Sequence, residues 1–268
     1  MAARKLKTRP KIMAILNITP DSFSDGGEFN EVDAALAQAK RCADEGADII
    51  DIGAESTRPG AKAVSEKEEL ARVLPVLEAL KSEINLPISI DSYKANVARA
   101  ALKAGASIIN DVWGLQCDEK MAAVAAEAEC SVIIMHNRFD GADETTDILD
   151  DMDRWFDVSL KFARNAGIRE NKITLDPGIG FGKTFKQNLI ILAHLERLKS
   201  RGYPLLMGLS RKRFIGAILD AETDERLFGT LSANLSSILD GVDIIRVHDV
   251  KPHREAIDIL MAIDAERT

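Results

Sequence analysis

The feature that most constrains the fold is a pattern that recurs eight times along the chain. Short runs rich in β-branched residues, each bounded by polar residues or Gly, alternate with stretches that have the periodicity of amphipathic helices. Strands that alternate with helices form parallel sheets, because each helix carries the chain back to the same edge. The predicted strands are residues 12–18, 47–53, 87–92, 107–112, 131–137, 172–178, 204–210 and 243–249.

The number of these units predicts a closed barrel. The 268 residues match the roughly 250 residues that eight strand–helix units need. The rival architecture is an open doubly wound sheet, but that fold usually has fewer strands and needs a point at which the strand order reverses. The sequence shows no such point and no Pro-, Gly- or Ser-rich linker. We therefore predict an α/β fold, a single-domain (β/α)8 TIM barrel over residues 1–268, with a flexible N-terminus at residues 1–10.

The charge and the cysteine content exclude several kinds of partner. The net charge is −8, from 35 Lys and Arg against 43 Asp and Glu, so the chain has no general attraction to nucleic acid or to anionic membranes. No apolar run reaches the length of a signal peptide or a membrane span. Cys42, Cys117 and Cys130 lie far apart and are odd in number, which favours reduced thiols over a disulfide framework. We expect a cytoplasmic protein.

Polar side chains follow the apolar runs at many of the predicted strand ends. In a barrel, the carboxyl ends of the strands form the active face, so these side chains converge although they are distant in sequence. Singly, an Asp or Asn in such a position is as often a helix N-cap or an Asx turn. Together they favour a functional site, whose candidate residues are Asn17, Asp91, Asn110, Asp176, Lys212, Arg246 and His248.

The chemistry of this set can be stated before any family is considered. Two carboxylates and two amides offer paired acceptors and donors that suit a flat heterocycle with an amino-pyrimidinone edge. Arg246 and His248 are two residues apart on one strand, so they point to the same side and can receive phosphate oxygens. Lys212 lies where a strand–helix loop enters a helix, a place that favours an anion or, on the plainer reading, is only a charged helix start.

Seven motifs make a resemblance specific. They resemble those of the dihydropteroate synthases, the folate-pathway enzymes that join a dihydropterin to 4-aminobenzoate, and they span nearly the whole chain. The motifs are ILNITPDSFSDGG at 15–27, ESTRPGA at 55–61, IDSYK at 90–94, INDV at 109–112, LDPGIGFGK at 175–183, SRKRFIG at 210–216 and RVHDV at 246–250.

The resemblance implies roles for the pterin-binding residues. Asp91, Asn110 and Asp176 would line the pterin pocket, and their oxygens would accept hydrogen bonds from ring N–H groups. Lys212 would donate to the ring carbonyl oxygen and a ring nitrogen. Arg246 would stack on the face of the pterin. Of this group, Asp91, Lys212 and Arg246 would act in catalysis.

The resemblance also implies a site for the diphosphate of the first substrate. Thr57, Arg246 and His248 would bind its oxygens, and His248 would be a fourth catalytic residue. Asp25 and Arg58, in the loops after the first two strands, would add a polar and a charged partner. Both loops contain Gly and Pro and few apolar anchors, so we expect them to be mobile in the free enzyme.

The second substrate, 4-aminobenzoate, would lie between aromatic and loop residues. Its carboxylate would lie near the start of the helix at Lys212 and Arg213. Many family members have Ser at the position of Arg213 and a second Gly at the position of Ala54, so both departures bear on this pocket. The residues that would surround the aromatic ring are Phe23, Pro59, Phe181 and Lys212.

The resemblance implies Mg2+ as the only cofactor, with Asn17 as its protein ligand. An amide oxygen suits this hard cation, which is commonly shared with substrate phosphates. The family mechanism is dissociative: the carbon–oxygen bond to the diphosphate breaks first, and the arylamine then attacks a pterin-stabilised cation. Arg246 and His248 would stabilise the leaving group, and Asp91 would favour the cationic ring.

Two other functions fit the same fold. One is a pterin-dependent methyltransferase, and the other is a non-catalytic pterin-binding paralogue. Lys212 together with Arg246 and His248 argues against the first, and the intact loop from Asn17 to Gly27 argues against the second. The synthase remains the leading hypothesis. It further implies a target for sulfonamides, a homodimer, and no nucleic-acid or membrane partner.

Overall fold

Parallel strands form the centre of the molecule. The computed structural model describes residues 6, 8–18, 27–55, 64–138 and 140–267. Within these ranges all eight predicted strands are confirmed, although most are shorter than the apolar runs that predicted them. Their bounds are β1 (Lys11–Asn17), β2 (Ile49–Gly53), β3 (Ile88–Asp91), β4 (Ile108–Asp111), β5 (Ser131–Met135), β6 (Ile173–Asp176), β7 (Leu206–Met207) and β8 (Ile244–Val247).

The strands close into a barrel rather than an open sheet. Their spatial order is β6-β5-β4-β3-β2-β1-β8-β7, and every neighbouring pair is parallel. The last gap, between β6 and β7, is closed by a parallel bridge between Leu175 and Leu205. In addition, the N–H of Leu175 donates to the carbonyl oxygen of Pro204 at 2.9 Å. The predicted (β/α)8 TIM barrel is therefore confirmed.

Helices connect the strands and cover the outside of the barrel. Several of their ends are encoded locally, as where Ser65 and Glu68 form a capping box and Gly105 ends a helix at φ 124°. Among the described residues, no helix has the length and apolarity that a membrane span needs. The helices are α1 (Gly27–Asp44), α2 (Glu66–Glu83), α3 (Ala95–Ala104), α4 (Met121–Glu127), α5 (Ile148–Ala166), α6 (Phe185–Ala193), α7 (Leu195–Lys199), α8 (Arg213–Leu219), α9 (Leu227–Leu239) and α10 (Val250–Ala265).

Two separate clusters of buried apolar side chains hold the barrel together. The larger cluster packs the outer faces of the strands against the helices and includes Ile50 and Ile52 of β2. Successive residues of a strand point to opposite faces, so Ile49, Asp51 and Gly53 point into the barrel. The smaller cluster, which we call the floor, fills this interior with Met13, Ile49, Ile108, Ile133, Leu206 and Ile244.

The strand register aligns several predicted site residues on one rung of the barrel. Asn17 pairs with Gly53, Gly53 pairs with Asp91, and Asp91 pairs with Asn110. These residues lie at the carboxyl ends of β1 to β4. The parallel arrangement therefore brings together side chains that are more than 90 residues apart in the sequence.

Candidate active site

The site begins one inward-facing position above the floor. On β2, Asp51 follows Ile49 at a distance of two residues, and on β8, Arg246 follows Ile244 in the same way. On β4, Asn110 stands in the same relation to Ile108. Because a strand has a side-chain period of two, these polar side chains face the same interior as the floor. We call Asp51, Asp91, Asn110 and Arg246 the polar layer.

Arg246 is the hub of the polar layer. Its Nε donates to Asp51 Oδ2 at 2.6 Å, and one of its terminal nitrogens donates to Asp91 Oδ2 at 2.8 Å. The side-chain amide of Asn110 donates to the same oxygen of Asp51 at 3.1 Å. Asp51 is fully buried and Asp91 is 7 % exposed. Two carboxylates thus fix the guanidinium in one orientation below the barrel mouth.

The polar layer has more acceptors than donors. Asp51 Oδ1, Asp91 Oδ1, Asn110 Oδ1 and the neighbouring Ser89 Oγ are buried and make no hydrogen bond to the described residues. An unpaired buried polar atom costs about 1–3 kcal/mol. A ligand that presents N–H groups to this layer would remove that cost, so the site favours a flat molecule with several donors.

Burial alters the acidity of two carboxyl groups at the site. Burial raises the pKa of Asp91 to about 7, the charge of Arg246 opposes that rise, and the charge of Asp51 adds to it. Burial also raises the pKa of Asp176 at the end of β6, where the N–H of Gly178 donates to its Oδ1 at 2.7 Å. Both groups are therefore held in surroundings that disfavour their negative charge in the absence of a partner.

Lys212 and Phe181 meet on the other side of the mouth. Lys212 is the residue before α8, and its Nζ lies 4.3 Å from the centre of the Phe181 ring. The loop that carries Phe181 approaches Lys212 closely, since a Cβ placed on Gly180 would lie 3.2 Å from Lys212 Cδ. Against the effect of burial, the hydrogen bond from Gly178 and the positive charge of Lys212 both lower the pKa of Asp176. The Lys212 ammonium therefore interacts with the Phe181 ring and with the carboxylate of Asp176.

His248 is oriented by a serine of the preceding strand–helix loop. Both its backbone N–H and its Nδ1 lie within hydrogen-bond distance of Ser210 Oγ, at 3.2 and 2.9 Å. Arg211, which has a positive φ of 58°, pairs with Asp249 and ties the two loops together. Ser210 therefore orients the imidazole of His248 through its Nδ1.

Asn17 lies at the end of β1 across Gly53 from Asp91. A Cβ on Gly53 would lie 3.7 Å from Asn17 Oδ1 and 3.6 Å from Asp91 Cβ. The absence of a side chain at Gly53 therefore leaves the two polar groups facing one space. Among the described residues there is no group of three or more His, Cys, Asp or Glu side chains suited to a metal ion.

The remaining predicted residues are placed as follows. Asp25, Thr57 and Arg58 lie outside the described residues, as do Phe23 and Pro59. Of the two departures from the family pattern, Ala54 is fully buried. Arg213 is the first residue of α8 and is exposed.

His136 comes directly after an apolar strand run, a place that predicts a side chain on the active face, and this prediction is wrong. The residue follows β5, but its ring is fully buried against α5, at 5.5 Å and 70° to the ring of Trp155. Its Nε2 lies 3.4 Å from Asp151 Oδ2. Burial lowers the pKa of His136 to about 4, so the ring is neutral at pH 7. Met135 rather than His136 occupies the inward position, which the side-chain alternation from Ile133 indicates.

Three further residues belong to the site or support it. Asp51, which links Arg246 to Asn110, could have been found from its spacing to the strand end. Lys183 closes the motif at 175–183, but its contacts depend on the folded loop. Lys94 Nζ pairs with Glu55 and, at 2.6 Å, with Glu69, and it also donates to the Val64 carbonyl oxygen at 2.7 Å. Lys94 therefore links Glu55 and Val64, the described residues on either side of 56–63.

The family of pterin binding enzymes matches this chain over residues 13–248. A dihydropteroate synthase of Bacillus subtilis is 52 % identical over 250 residues, which cover 93 % of this chain and 87 % of that protein. A dihydropteroate synthase of Clostridium beijerinckii is 48 % identical over 249 residues, 92 % of each chain.

Solved structures agree with these sequence matches. The crystal structure of a dihydropteroate synthase from Clostridium difficile in the presence of pteroic acid superimposes with a TM-score of 0.93 at 50 % identity, covering 98 % of this chain and 99 % of the other. The Xanthomonas albilineans dihydropteroate synthase with 4-aminobenzoic acid gives a TM-score of 0.92 at 43 % identity, with coverages of 96 % and 94 %.

Proposed function

This chain belongs to the pterin-binding enzymes and is a transferase with the dihydropteroate synthase activity of folate biosynthesis, and from that premise we propose how its residues divide the work. The substrates are (7,8-dihydropterin-6-yl)methyl diphosphate and 4-aminobenzoate, and the products are 7,8-dihydropteroate and diphosphate. Sulfonamides, which resemble 4-aminobenzoate, compete for the same part of the site.

The pterin lies on the polar layer. Asp91 and Asn110 each offer it a buried Oδ1 that has no partner in the described part of the chain, and Asp176 adds a carboxylate from the other side of the barrel. Arg246 is fixed by Asp51 and Asp91, so its flat guanidinium presents one face to the ring without first losing conformational freedom. These unpaired acceptors beside a fixed cation are the observation that carries the proposal.

The diphosphate lies at the ends of β1 and β8. His248, oriented by Ser210, and Arg246 bind its oxygens, together with Thr57, Arg58 and Asp25 of the two neighbouring loops. Mg2+ fits this end because Asn17 offers an amide oxygen beside the space over Gly53, and because this ion commonly completes its coordination with substrate phosphates and water. When bound, the ion neutralises charge on the leaving diphosphate.

The 4-aminobenzoate lies at the Phe181 and Lys212 side of the mouth. The Phe181 ring offers it an aromatic surface, and Lys212 bridges the two substrates because it contacts that ring and lies near Asp176. The carboxylate of 4-aminobenzoate points to the surface near Arg213, which is exposed.

The reaction then proceeds in two steps. The carbon–oxygen bond breaks and its electron pair leaves with the diphosphate, whose charge Arg246 and His248 stabilise. The positive charge that remains is spread over the pterin, next to the carboxylates of Asp91 and Asp176. The amine of 4-aminobenzoate attacks the methylene carbon and then loses a proton.

The proposed pterin pocket is tested with Asp176→Ala. Calorimetric titration with a non-reacting dihydropterin should show binding weaker by about 1–3 kcal/mol, because ring N–H groups lose their acceptor. The matched control is Asp240→Ala, which removes an exposed carboxylate at the end of α9. An unchanged dissociation constant in the first variant, with a normal circular dichroism spectrum, would remove Asp176 from the pocket. A coupled assay of the wild type with both substrates and Mg2+ measures turnover alongside.

We further propose that the enzyme is a cytoplasmic homodimer. Apolar side chains are exposed where α8 and α9 meet, and Phe228 is 80 % exposed. Ile218 and Leu219 extend the same apolar area, which a second copy of the chain would cover. The three cysteines are unpaired, as in a reducing compartment. Sedimentation equilibrium tests the dimer: a mass of one chain at micromolar concentration would contradict it.

A further inference from the structure

Lys183 is a buried cation that the reaction as described does not use. Only 9 % of the residue is exposed. Its Nζ donates to three backbone carbonyl oxygens, those of His136 at 3.2 Å, Gly178 at 2.9 Å and Phe181 at 2.9 Å. It forms no ion pair with a carboxylate in the described part of the chain. Lys183 thus binds the loop after β6 at Gly178 and Phe181, and the end of the neighbouring strand β5 at His136.

The loop that Lys183 binds is pressed against the end of β5. Gly178 and Gly182 have positive φ angles of 64° and 54°. A Cβ on Gly178 would lie 2.0 Å from the carbonyl oxygen of His136, and a Cβ on Gly182 would lie 2.8 Å from Arg138 Cβ. Only Gly can occupy such positions without displacing backbone. The close approach turns carbonyl oxygens away from solvent, and Lys183 supplies the donors that they require.

The contacts of Lys183 bear directly on Phe181. The carbonyl oxygen of Phe181 accepts from Lys183, and its N–H donates to the carbonyl oxygen of Gly178 at 3.0 Å, which Lys183 also binds. Both polar groups of the Phe181 backbone are therefore fixed by one small network. The ring that this network positions lies 4.3 Å from Lys212 Nζ.

We propose that Lys183 is a positioning residue for the second substrate: by binding the loop at 178–182 to the end of β5, it fixes Phe181 against Lys212 and thereby sets the 4-aminobenzoate subsite. The inference rests on the proposed placement of 4-aminobenzoate at Phe181 and Lys212. The pterin subsite is built mainly from the polar layer on other strands, and only Asp176 belongs to the strand that precedes this loop. Loss of Lys183 should therefore affect 4-aminobenzoate more than the pterin.

The test compares steady-state constants for both substrates in Lys183→Met. We expect the KM for 4-aminobenzoate to rise about tenfold or more, since a displaced contact surface weakens the productive geometry. The KM for the pterin diphosphate should rise clearly less, because of the pterin-pocket residues only Asp176 lies beside this loop. The matched control is Lys186→Met, which removes an exposed lysine three residues away and should change neither constant. Lys183→Gln keeps two N–H donors without the charge and should give a smaller rise.

Each result decides the proposal. Unchanged KM values in Lys183→Met, or an equal loss for both substrates, overturn it, because a lysine that only stabilises the fold has no preference between them. If Lys183→Met does not fold, as judged by circular dichroism, Lys183→Gln decides on the same criterion.

Phe181→Ala separates the hypothesis that 4-aminobenzoate lies at Phe181 from the hypothesis that Lys183 positions this subsite. If it leaves the KM for 4-aminobenzoate unchanged, the proposed subsite is wrong and so is the route through Phe181. If it raises that KM while both Lys183 variants do not, only the role of Lys183 is overturned.

Discussion

The floor of the barrel and the polar layer above it are built from the same strands, two residues apart, yet they differ in every physical respect. The floor contains only apolar side chains, among which Met13 and Leu206 are fully buried. The polar layer contains an arginine between two buried carboxylates and several acceptors that have no partner among the described residues. One step of the β-strand period separates a packed core from a reactive surface.

This difference separates a region that stabilises the fold from a region that lowers its stability. Removing apolar area from water stabilises the floor by about 25 cal/mol per Å2. In the polar layer, burial instead disfavours the charged form of Asp91 and raises its pKa to about 7, and the unpaired acceptors add to the cost. In the proposed function this layer binds the pterin, and it rests on the closed barrel beneath it. The comparison predicts that floor variants lose stability alone, whereas variants of the polar layer lose function as well.

The largest effect is expected for Arg246→Met. This change leaves Asp51 and Asp91 buried without their cation, and breaking a buried ion pair costs about 3–5 kcal/mol. The free energy of unfolding, measured by urea denaturation at pH 8, should fall by that amount. Turnover should fall about a hundredfold or more, because the leaving group loses its fixed cation.

A pH series sharpens this first prediction. Asp91, freed from Arg246, can escape the cost of its charge by taking up a proton, so the loss of stability in Arg246→Met should be smaller at pH 6 than at pH 8. The surface variant Arg154→Met, which removes an exposed arginine from α5, serves as the control for losing one positive charge. Equal losses at both pH values would show that Asp91 does not carry the uncompensated charge.

The second prediction concerns Ile133 of the floor. Ile133→Ala removes methyl groups from a closed apolar cluster and should lower the free energy of unfolding by about 2–4 kcal/mol. Ile133→Val should cost about 0.5–1.5 kcal/mol. For both variants, kcat and the two KM values should remain close to those of the wild type at a temperature where the protein is folded. A variant that stays stable but loses turnover would break the separation between floor and polar layer.

Much of the polar layer follows from the sequence because strand alternation is a local rule. The eight strands are visible as β-branched runs, and the barrel aligns their carboxyl ends whatever the intervening helices contain. Asp91, Asn110 and Arg246 could therefore be predicted to share one site. Asp51 is also predictable in principle, since it lies two residues before Gly53 at the strand end, but its place within an apolar run obscures it.

Other features depend on contacts that no local pattern encodes. Lys183 reaches back to the carbonyl oxygen of His136, 47 residues earlier, and this is possible only because Gly178 and Gly182 let the loop lie against β5. The place of His136 directly after a strand run predicts the active face. The strand ends at Met135, and its side-chain alternation directs the ring of His136 outward to α5 instead. The contacts of long side chains and the conformations of loops can therefore be determined only from the folded structure.

The smallest predicted effect is a pH dependence of stability that arises at the mouth and not at the floor. Burial lowers the pKa of Lys183 to about 7, with the charge of Asp176 opposing that shift and the charge of Lys212 adding to it. In the unfolded chain a lysine titrates near pH 10.4. Between these values the unfolded state binds more protons than the folded state, so the free energy of unfolding rises with pH.

From pH 7 to 8.5 the contribution of Lys183 to this rise should be about 1–2 kcal/mol. The rise should disappear in Lys183→Met and persist in Lys186→Met and in Ile133→Ala. Asp91 acts in the opposite direction, because its raised pKa gives stability that is lost as the pH increases through about 7, but it does so equally in all these proteins. His136 does not interfere, since its pKa of about 4 keeps the ring neutral over the whole range. The difference in slope between wild type and Lys183→Met, measured by urea denaturation at several pH values, therefore reports Lys183 together with Asp176, whose pKa the charge of Lys183 lowers. Parallel slopes would show that Lys183 remains charged in the folded protein over this whole pH range.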